Sequence, residues 1–320
     1  MAHNLKLNIW SIGFEEKIGN EYSDIDIKTV FSSFLDNTET DKKEIFQTFV
    51  KKYIASFNDQ FVNDQDETKA FTYEDIKFDS GKNIIYGRIK GGLTGIEQDV
   101  YVRDSKEPTD KKIHKDEVST LPYHFFIWLP YDSNMGFLMT QSYTSISINN
   151  VFLEHFATLF KSKKIRINKS PQVSKKRLEE FYNSSYVYRI SLVKKKLPRN
   201  ARKKFNQVFL EEENVNMMLS FTGFKFKAKE FFSKWTSIKT NLKDLAIENE
   251  DDYDLTVYYE NDANKKASAT MANPKLILPS IFIPDSVKER GSDNPNFDRT
   301  ISFCETELEE IKKDIQYNPA

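Results

Sequence analysis

Residues 123–160 read YHFFIWLPYDSNMGFLMTQSYTSISINNVFLEHFATLF and combine two apolar runs with a helical pattern. The apolar runs flank YDSN, whose residues are typical of a turn, and this arrangement predicts an antiparallel hairpin. After the hairpin, apolar residues recur every three or four positions, as in an amphipathic helix. These residues are Ile148, Val151, Phe152, Phe156 and Phe160.

Patterns on both sides of this stretch extend the prediction. Leu5, Leu7 and Ile9 alternate with polar residues, as in a strand with one buried face. Residues 42–61 place their apolar side chains on one helical stripe. Further strands are expected in FTYEDIKF, NIIYGRIKGG and QDVYVRD, which the turn signals DSGK and GGLTG separate.

Strand-like and helix-like segments continue to the C-terminus without the regular rhythm of parallel βαβ units. We therefore expect an α+β fold with mixed, mainly antiparallel sheets, packed amphipathic helices and two subdomains. The predicted N-terminal α+β domain comprises residues 1–165, and the predicted C-terminal α+β domain comprises residues 185–320. A basic segment, residues 161–204, spans the junction.

Composition restricts the class of protein. The single cysteine, Cys304, cannot form an internal disulfide; it is expected to be a buried thiol, in a protein of the reducing cytoplasm. No apolar run approaches the ~18 residues of a membrane span, so no membrane association is expected. The four histidines are scattered, and neither a metal site nor a cofactor is expected.

The charge of the chain is unevenly distributed. The formal net charge is only −1, yet residues 161–204 contain 16 basic and two acidic residues, a net of +14. Residues 1–80 and residues 205–320 each have a net charge of −7. Such a concentration of cations is typical of a surface that binds phosphates.

We therefore predict that the basic segment binds DNA or RNA. Tyr182, Tyr186 and Tyr188 lie among the cations, and such rings stack on unpaired bases. The residues predicted to bind nucleic acid are Lys163, Lys164, Arg166, Lys175, Lys176, Arg177, Tyr182, Arg189, Lys194, Lys195, Lys196, Arg199, Arg202, Lys203 and Lys204. Pro198 predicts that the last of these clusters begins a helix.

Other interpretations of the basic segment stay open. The chain could be an assembly or inhibitor-type protein whose basic face binds an acidic partner protein. The segment could also contact a second copy of the chain or the acidic regions of the same chain. Tyr186, Tyr188 and Ile190 could form one buried face of a strand, with Arg189 outside. The cations could also be an ordinary solvated surface.

No motif in the sequence identifies a reaction, and the catalytic residues, if any exist, are not identifiable. Two acid-x-lysine tripeptides, Asp26-Ile27-Lys28 and Asp75-Ile76-Lys77, leave a metal-dependent nuclease as a second alternative. The glycine-rich run GRIKGGLTG, residues 87–95, lacks the residues of a phosphate-binding loop. It is expected to be a hairpin turn with positive φ at its glycines. His124, in an apolar run, is expected to be a hydrogen-bonded core residue.

Residues 123–160, together with the preceding IIYGRIKGG, resemble a recurrent layout in uncharacterised bacterial proteins encoded near anti-phage defence loci. In that layout a strand, a turn, a strand bearing a Gln and a helix form the middle of the chain. The resemblance implies a bacterial defence role together with partner proteins. It carries over no catalytic residue.

Overall fold

The computed structural model of the chain describes residues 4–35, 41–57, 60–102, 107–144, 146–194, 199, 202, 215–234, 253–271 and 277–318. Within these residues the fold is α+β, with six helices and mostly antiparallel sheets, which confirms the predicted fold class. The chain divides into two compact units. The first unit contains Met1–Gln172 and Phe282–Ala320, and the second contains Val173–Ile281.

The described strands and helices are mixed along the chain without regular alternation, and seven consecutive strands separate α2 from α3. In chain order they are β1 (Leu5–Ile18), β2 (Glu21–Ile25), α1 (Ile27–Ser32), α2 (Lys42–Ala55), β3 (Val62–Asn63), β4 (Lys69–Asp79), β5 (Ile84–Leu93), β6 (Gln98–Tyr101), β7 (Pro108–Ile113), β8 (Ser119–Trp128), β9 (Met135–Tyr143), α3 (Asn149–Lys161), β10 (Ile165–Pro171), α4 (Lys175–Ser184), β11 (Ser185–Lys194), β12 (Met217–Lys227), α5 (Ala228–Ser233), β13 (Tyr253–Asn261), β14 (Lys266–Met271), β15 (Ile281–Phe282) and α6 (Phe297–Asp314).

The first unit is organised around a curled, half-barrel sheet. Its main strand order is β10-β1-β9-β8-β5-β4-β3, and β2 pairs with the end of β1. The hairpin predicted within residues 123–160 is present as β8 and β9, and Phe125 pairs with Thr140. The predicted helix follows as α3, and the helix predicted from residue 42 is present as α2.

Aromatic side chains fill the space between this sheet and helices α2 and α3. Phe160 of α3 is fully buried and its ring centroid lies 5.2 Å from that of Phe14 of β1. The ring centroid of Phe49 on α2 lies 5.9 Å from that of Phe160. Burial of each such side chain stabilises the fold by about 1.5–3 kcal/mol, so this cluster is a main source of stability.

The sequence pattern predicts that residues 282–320 belong to a C-terminal domain, but they pack within the first unit. Ile283 donates its N–H to the carbonyl of Leu5 at 3.0 Å. The rings of α6 and its C-terminal end then cover β8, where Phe297 lies 5.5 Å from His124 and Tyr317 lies 4.8 Å from Trp128. Contact between the apolar stripe of α6 and the apolar surface of β8 removes both from water, and this burial favours the return of the chain to the first unit. Cys304 is buried in this layer, as predicted, and burial raises the pKa of its thiol.

The glycines of residues 87–95 do not all have the predicted role. Gly91 and Gly92 lie within strand β5, and only Gly95 has a positive φ, of 77°. A Cβ atom at Gly92 would lie 1.8 Å from the carbonyl oxygen of Ser119 on β8. Close approach of the neighbouring strand, not turn geometry, therefore requires glycine at this position.

We expect Gly92→Ala to lower the free energy of unfolding of the first unit by about 2 kcal/mol or more, because the added methyl group forces β5 and β8 apart. Gly13→Ala is the control, since its Cβ would meet no atom closer than 4.0 Å. Urea unfolding of both variants measures the difference. Equal stability of the two would show that the β5–β8 approach is not tight.

His124 is buried on β8, but neither ring nitrogen has a hydrogen-bond partner among the residues that the structure describes. The predicted hydrogen bond is therefore absent from this part of the chain. Burial, and secondarily the charge of Arg88, lowers the pKa of His124 from 6.5 to about 3. The imidazole consequently stays neutral in the folded protein at pH values where the unfolded chain protonates it.

This pKa predicts a specific loss of stability in acid. The contribution of His124 is complete above pH ~6.5 and is lost as the pH falls towards 3, at about 1.4 kcal/mol per pH unit. Between pH 7 and pH 5 the native protein should therefore lose about 2 kcal/mol more than His124→Gln. Urea unfolding at both pH values measures this, with the exposed His114→Gln as control. An identical loss in His124→Gln would contradict the neutral buried state.

The second unit is a four-stranded antiparallel sheet of order β12-β11-β13-β14. Helices α4 and α5 pack on one face of this sheet. Phe181 of α4 lies 4.8 Å from the buried ring of Tyr259 on β13 and 6.1 Å from Phe232 of α5. Ser174 caps α4 by accepting a hydrogen bond from the N–H of Arg177 at 3.3 Å.

Among the residues that the structure describes, no helix is both long enough and apolar enough to cross a membrane.

Candidate nucleic-acid interface

The basic segment, residues 161–204, is divided between the two units. Residues 161–172 belong to the first unit, and the remainder belongs to the second. The cations predicted to form one surface therefore occupy two different structural settings.

In the first unit, Lys163, Lys164 and Arg166 lie where α3 ends and β10 begins, and all three are exposed. The ammonium group of Lys163 lies 5.4 Å from the ring centroid of Phe34. Arg166 forms an ion pair with Glu15, which is directly opposite it on β1. The contact with the acidic N-terminal region, one of the alternative interpretations of the basic segment, is therefore present for Arg166.

The cations of α4 lie on the helix surface of the second unit. Lys175 and Lys176 are exposed, and Arg177 pairs with Glu180 one turn later at 2.7 Å. Tyr182 is half-buried with its ring 5.7 Å from Phe232, and burial raises the pKa of its hydroxyl. Its ring therefore contributes to the packing of α4 against α5.

Strand β11 presents its two sets of side chains differently. Val187, Ile190 and Leu192 are buried on the face that carries α4 and α5. Tyr186 and Arg189 are half-buried on the other face of the sheet. Ile190 and the tyrosine side chains therefore do not share one buried face, which was the alternative interpretation of this strand.

This second face, called here the open face, pairs each of three tyrosines with a cation. The guanidinium carbon of Arg189 lies 4.4 Å from the ring centroid of Tyr258 on β13. The ammonium groups of Lys225 and Lys266 lie 5.1 Å and 5.6 Å from the rings of Tyr186 and Tyr188 respectively.

A hydrogen bond and an ion pair hold two of these cations in place. Arg189 donates from Nε to the hydroxyl of Ser220 on β12 at 3.2 Å. Lys225 forms an ion pair with Glu260 of β13. Their hydrogen bond raises the pKa of Lys225 and lowers the pKa of Glu260, so both groups stay ionised.

Three of the residues on the open face could not be found from the basic segment alone. Lys225, Tyr258 and Lys266 lie in the acidic C-terminal part of the sequence, and only strand pairing brings them to β11. One signal was available in YDLTVYY, residues 253–259. Its apolar residues alternate at Tyr253, Leu255, Val257 and Tyr259, which predicts a strand with Tyr258 on the opposite face.

The last cluster of the basic segment lies largely beyond the described residues. Pro198 is outside the described residues, so the predicted helix start is not described. The same applies to Lys195, Lys196, Lys203 and Lys204. Lys194 is the final residue of β11. Arg199 and Arg202 are both helical; Arg199 is exposed and Arg202 is half-buried.

The acidic residues considered for a nuclease have local structural roles. Asp26 caps α1 by accepting a hydrogen bond from the N–H of Thr29 at 2.7 Å, which lowers its pKa. Asp75 forms an ion pair with Lys77 at 3.3 Å. Within the described ranges, no group of three His, Cys, Asp or Glu side chains is placed to hold a metal ion.

Comparison with protein-family models, with curated proteins and with solved structures gave no match for this chain. Its function is therefore inferred from the arrangement of its side chains.

Proposed function

We propose that the protein binds single-stranded DNA or RNA on the open face of the second unit. The observation that supports this proposal is the pairing of the half-buried Tyr186, Tyr188 and Tyr258 with three cations on the sheet face opposite α4 and α5. Aromatic rings on such a sheet stack on unpaired bases, while neighbouring cations contact the phosphates.

A base stacked on a tyrosine ring is more stable than a cation placed over the same ring, which favours replacement of the cation by a base. An exposed cation–π contact stabilises by about 0.5–1 kcal/mol, whereas a base stacked on an aromatic ring stabilises by about 1–3 kcal/mol. A base can therefore take the position over the ring of Tyr258, and Arg189 is then free to meet the adjoining phosphate. The same exchange applies to Lys225 on Tyr186 and to Lys266 on Tyr188.

Hydroxyl side chains around the tyrosines suit contacts with the sugar-phosphate backbone of a nucleic acid, which do not depend on base sequence. Ser268 of β14 pairs with Tyr258 across the sheet, and Ser220 lies beside Arg189. Hydroxyl groups of this kind donate to phosphate and sugar oxygens. The carboxylates of Asp254 and Glu260 would repel a phosphate placed over β13, which lies between β11 and β14. We therefore expect the phosphates to lie beside Arg189, Lys225 and Lys266 on the other three strands, and a base to cover Tyr258 on β13.

We also propose that this binding acts in bacterial anti-phage defence, in the cytoplasm and with partner proteins. The support is the resemblance of residues 123–160 to proteins encoded near defence loci. In a bacterial host carrying the gene, substitution of the open-face tyrosines should abolish any reduction in phage plaque number that the native gene gives.

The stacking role predicts a large effect of removing two rings. Tyr186→Leu combined with Tyr258→Leu keeps apolar bulk but should weaken binding of a 12-nucleotide single strand about 30-fold. Fluorescence anisotropy with labelled DNA and RNA strands measures the affinity. Tyr101→Leu, an exposed tyrosine of the first unit, is the control. Unchanged affinity in the double variant would exclude stacking on this face.

The phosphate role predicts a change in salt dependence. Arg189→Gln combined with Lys266→Gln should reduce the slope of log K against log salt by about 0.7 for each phosphate that these cations no longer neutralise. The control is Lys229→Gln, which removes an exposed cation from α5 in the same unit. If Lys229→Gln lowers the slope by half as much as the double variant, each cation acts only through net charge.

A further inference from the structure

A pocket of about 420 Å³ in the first unit concentrates cations at the place where four elements meet. Lys17, near the C-terminal end of β1, and Tyr22 of β2 line adjoining sides of the pocket. Lys161 lies in the last turn of α3. Lys164 and Arg166 complete the lining at the start of β10. A cavity of this size is typical of sites for small molecules.

The three lysines of the pocket are exposed. Within the described part of the chain, no carboxylate lies within ion-pair distance of the ammonium groups of Lys17, Lys161 or Lys164. The residues that line the pocket include no acidic side chain. Three unpaired ammonium groups around one cavity repel one another, and a bound polyanion relieves that repulsion.

Backbone contacts fix the positions of these lysines. Lys164 has a positive φ of 61° and donates its N–H to the carbonyl of Lys161 at 3.0 Å, which closes the turn after α3. Its own carbonyl accepts the N–H of Lys17 at 3.3 Å. The Cα atoms of Lys17 and Tyr22 are cross-strand partners. The pocket is therefore formed by the fold itself, before any ligand binds.

Arg166 and Tyr22 add a flat, π-rich wall. The guanidinium carbon of Arg166 lies 4.0 Å from the ring centroid of Tyr22, and Nε donates to Glu15 at 2.8 Å. Glu15 thus holds the guanidinium against the exposed tyrosine. Ile165 and Ile167 provide apolar surface beside this wall.

We infer that this pocket binds a nucleotide that carries two or three phosphates. Lys17, Lys161 and Lys164 contact the phosphates, and the base lies against the Arg166–Tyr22 wall and the neighbouring isoleucines. The same chemistry occurs in a free nucleoside triphosphate and in the 5′-triphosphorylated end of an RNA strand. This site lies in the first unit and does not depend on the open face of the second.

Titration calorimetry of the full-length protein with ATP, GTP, inorganic triphosphate and a short 5′-triphosphorylated RNA tests the inference. We expect Lys161→Gln combined with Lys164→Gln to weaken nucleotide binding at least about 30-fold. Tyr22→Leu should weaken binding of the nucleotide but not of inorganic triphosphate. Lys169→Gln, an exposed cation of β10 outside the pocket, should bind as the native protein does.

The outcomes separate this site from the open face. Nucleotide binding that survives Tyr186→Leu with Tyr258→Leu supports the pocket, even if that variant no longer binds a single strand. Tight binding of the 5′-triphosphorylated RNA with weak binding of ATP and GTP identifies the strand end as the source of the ligand. Absence of binding by every nucleotide-containing probe, or equal affinity for inorganic triphosphate and ATP, would overturn the nucleotide assignment.

Discussion

The register of β11 determines which side chains of the second unit reach solvent. Val187 pairs with Tyr259 and Arg189 pairs with Tyr258, so Tyr188 is an extra residue relative to β13. This irregularity leaves Val187 and Ile190 on the same buried face although they are three residues apart. Burial of these apolar residues stabilises the register, because a slip by one position would expose them and bury the cation of Arg189.

Local periodicity was sufficient to predict most individual elements. The hairpin β8–β9 and helices α2, α3 and α6 carry strong apolar patterns, and burial in the folded protein follows those patterns. The return of residues 282–320 to the first unit was not predictable, because it depends on contact between α6 and β8 across more than a hundred residues of sequence. The same is true of Gly92, whose role is set by the neighbouring strand.

The candidate site was predictable only where it is local. Arg189, Tyr186 and Tyr188 lie together in the sequence, and the clustering of cations around them was a usable signal. Their partners Lys225 and Tyr258 lie within residues 205–320, whose net charge is −7. The net charge of this region therefore gave no sign that Lys225 belongs to a basic site. The charge pattern of the sequence also placed Arg166 and Arg189 in one basic segment, although they belong to different units with different neighbours.

Acidic residues near both sites orient cations as well as neutralise them. Glu15 holds Arg166 against Tyr22, and Glu260 holds Lys225 near Tyr186. A chain with a net charge of −1 can in this way present locally positive surfaces. Photo-cross-linking to a single strand containing 4-thiouridine, with cross-linked peptides identified by mass spectrometry, tests the open face most directly. We expect cross-links at Tyr186, Tyr188 or Tyr258. Cross-links confined to other peptides at saturating protein would contradict single-strand binding on this face.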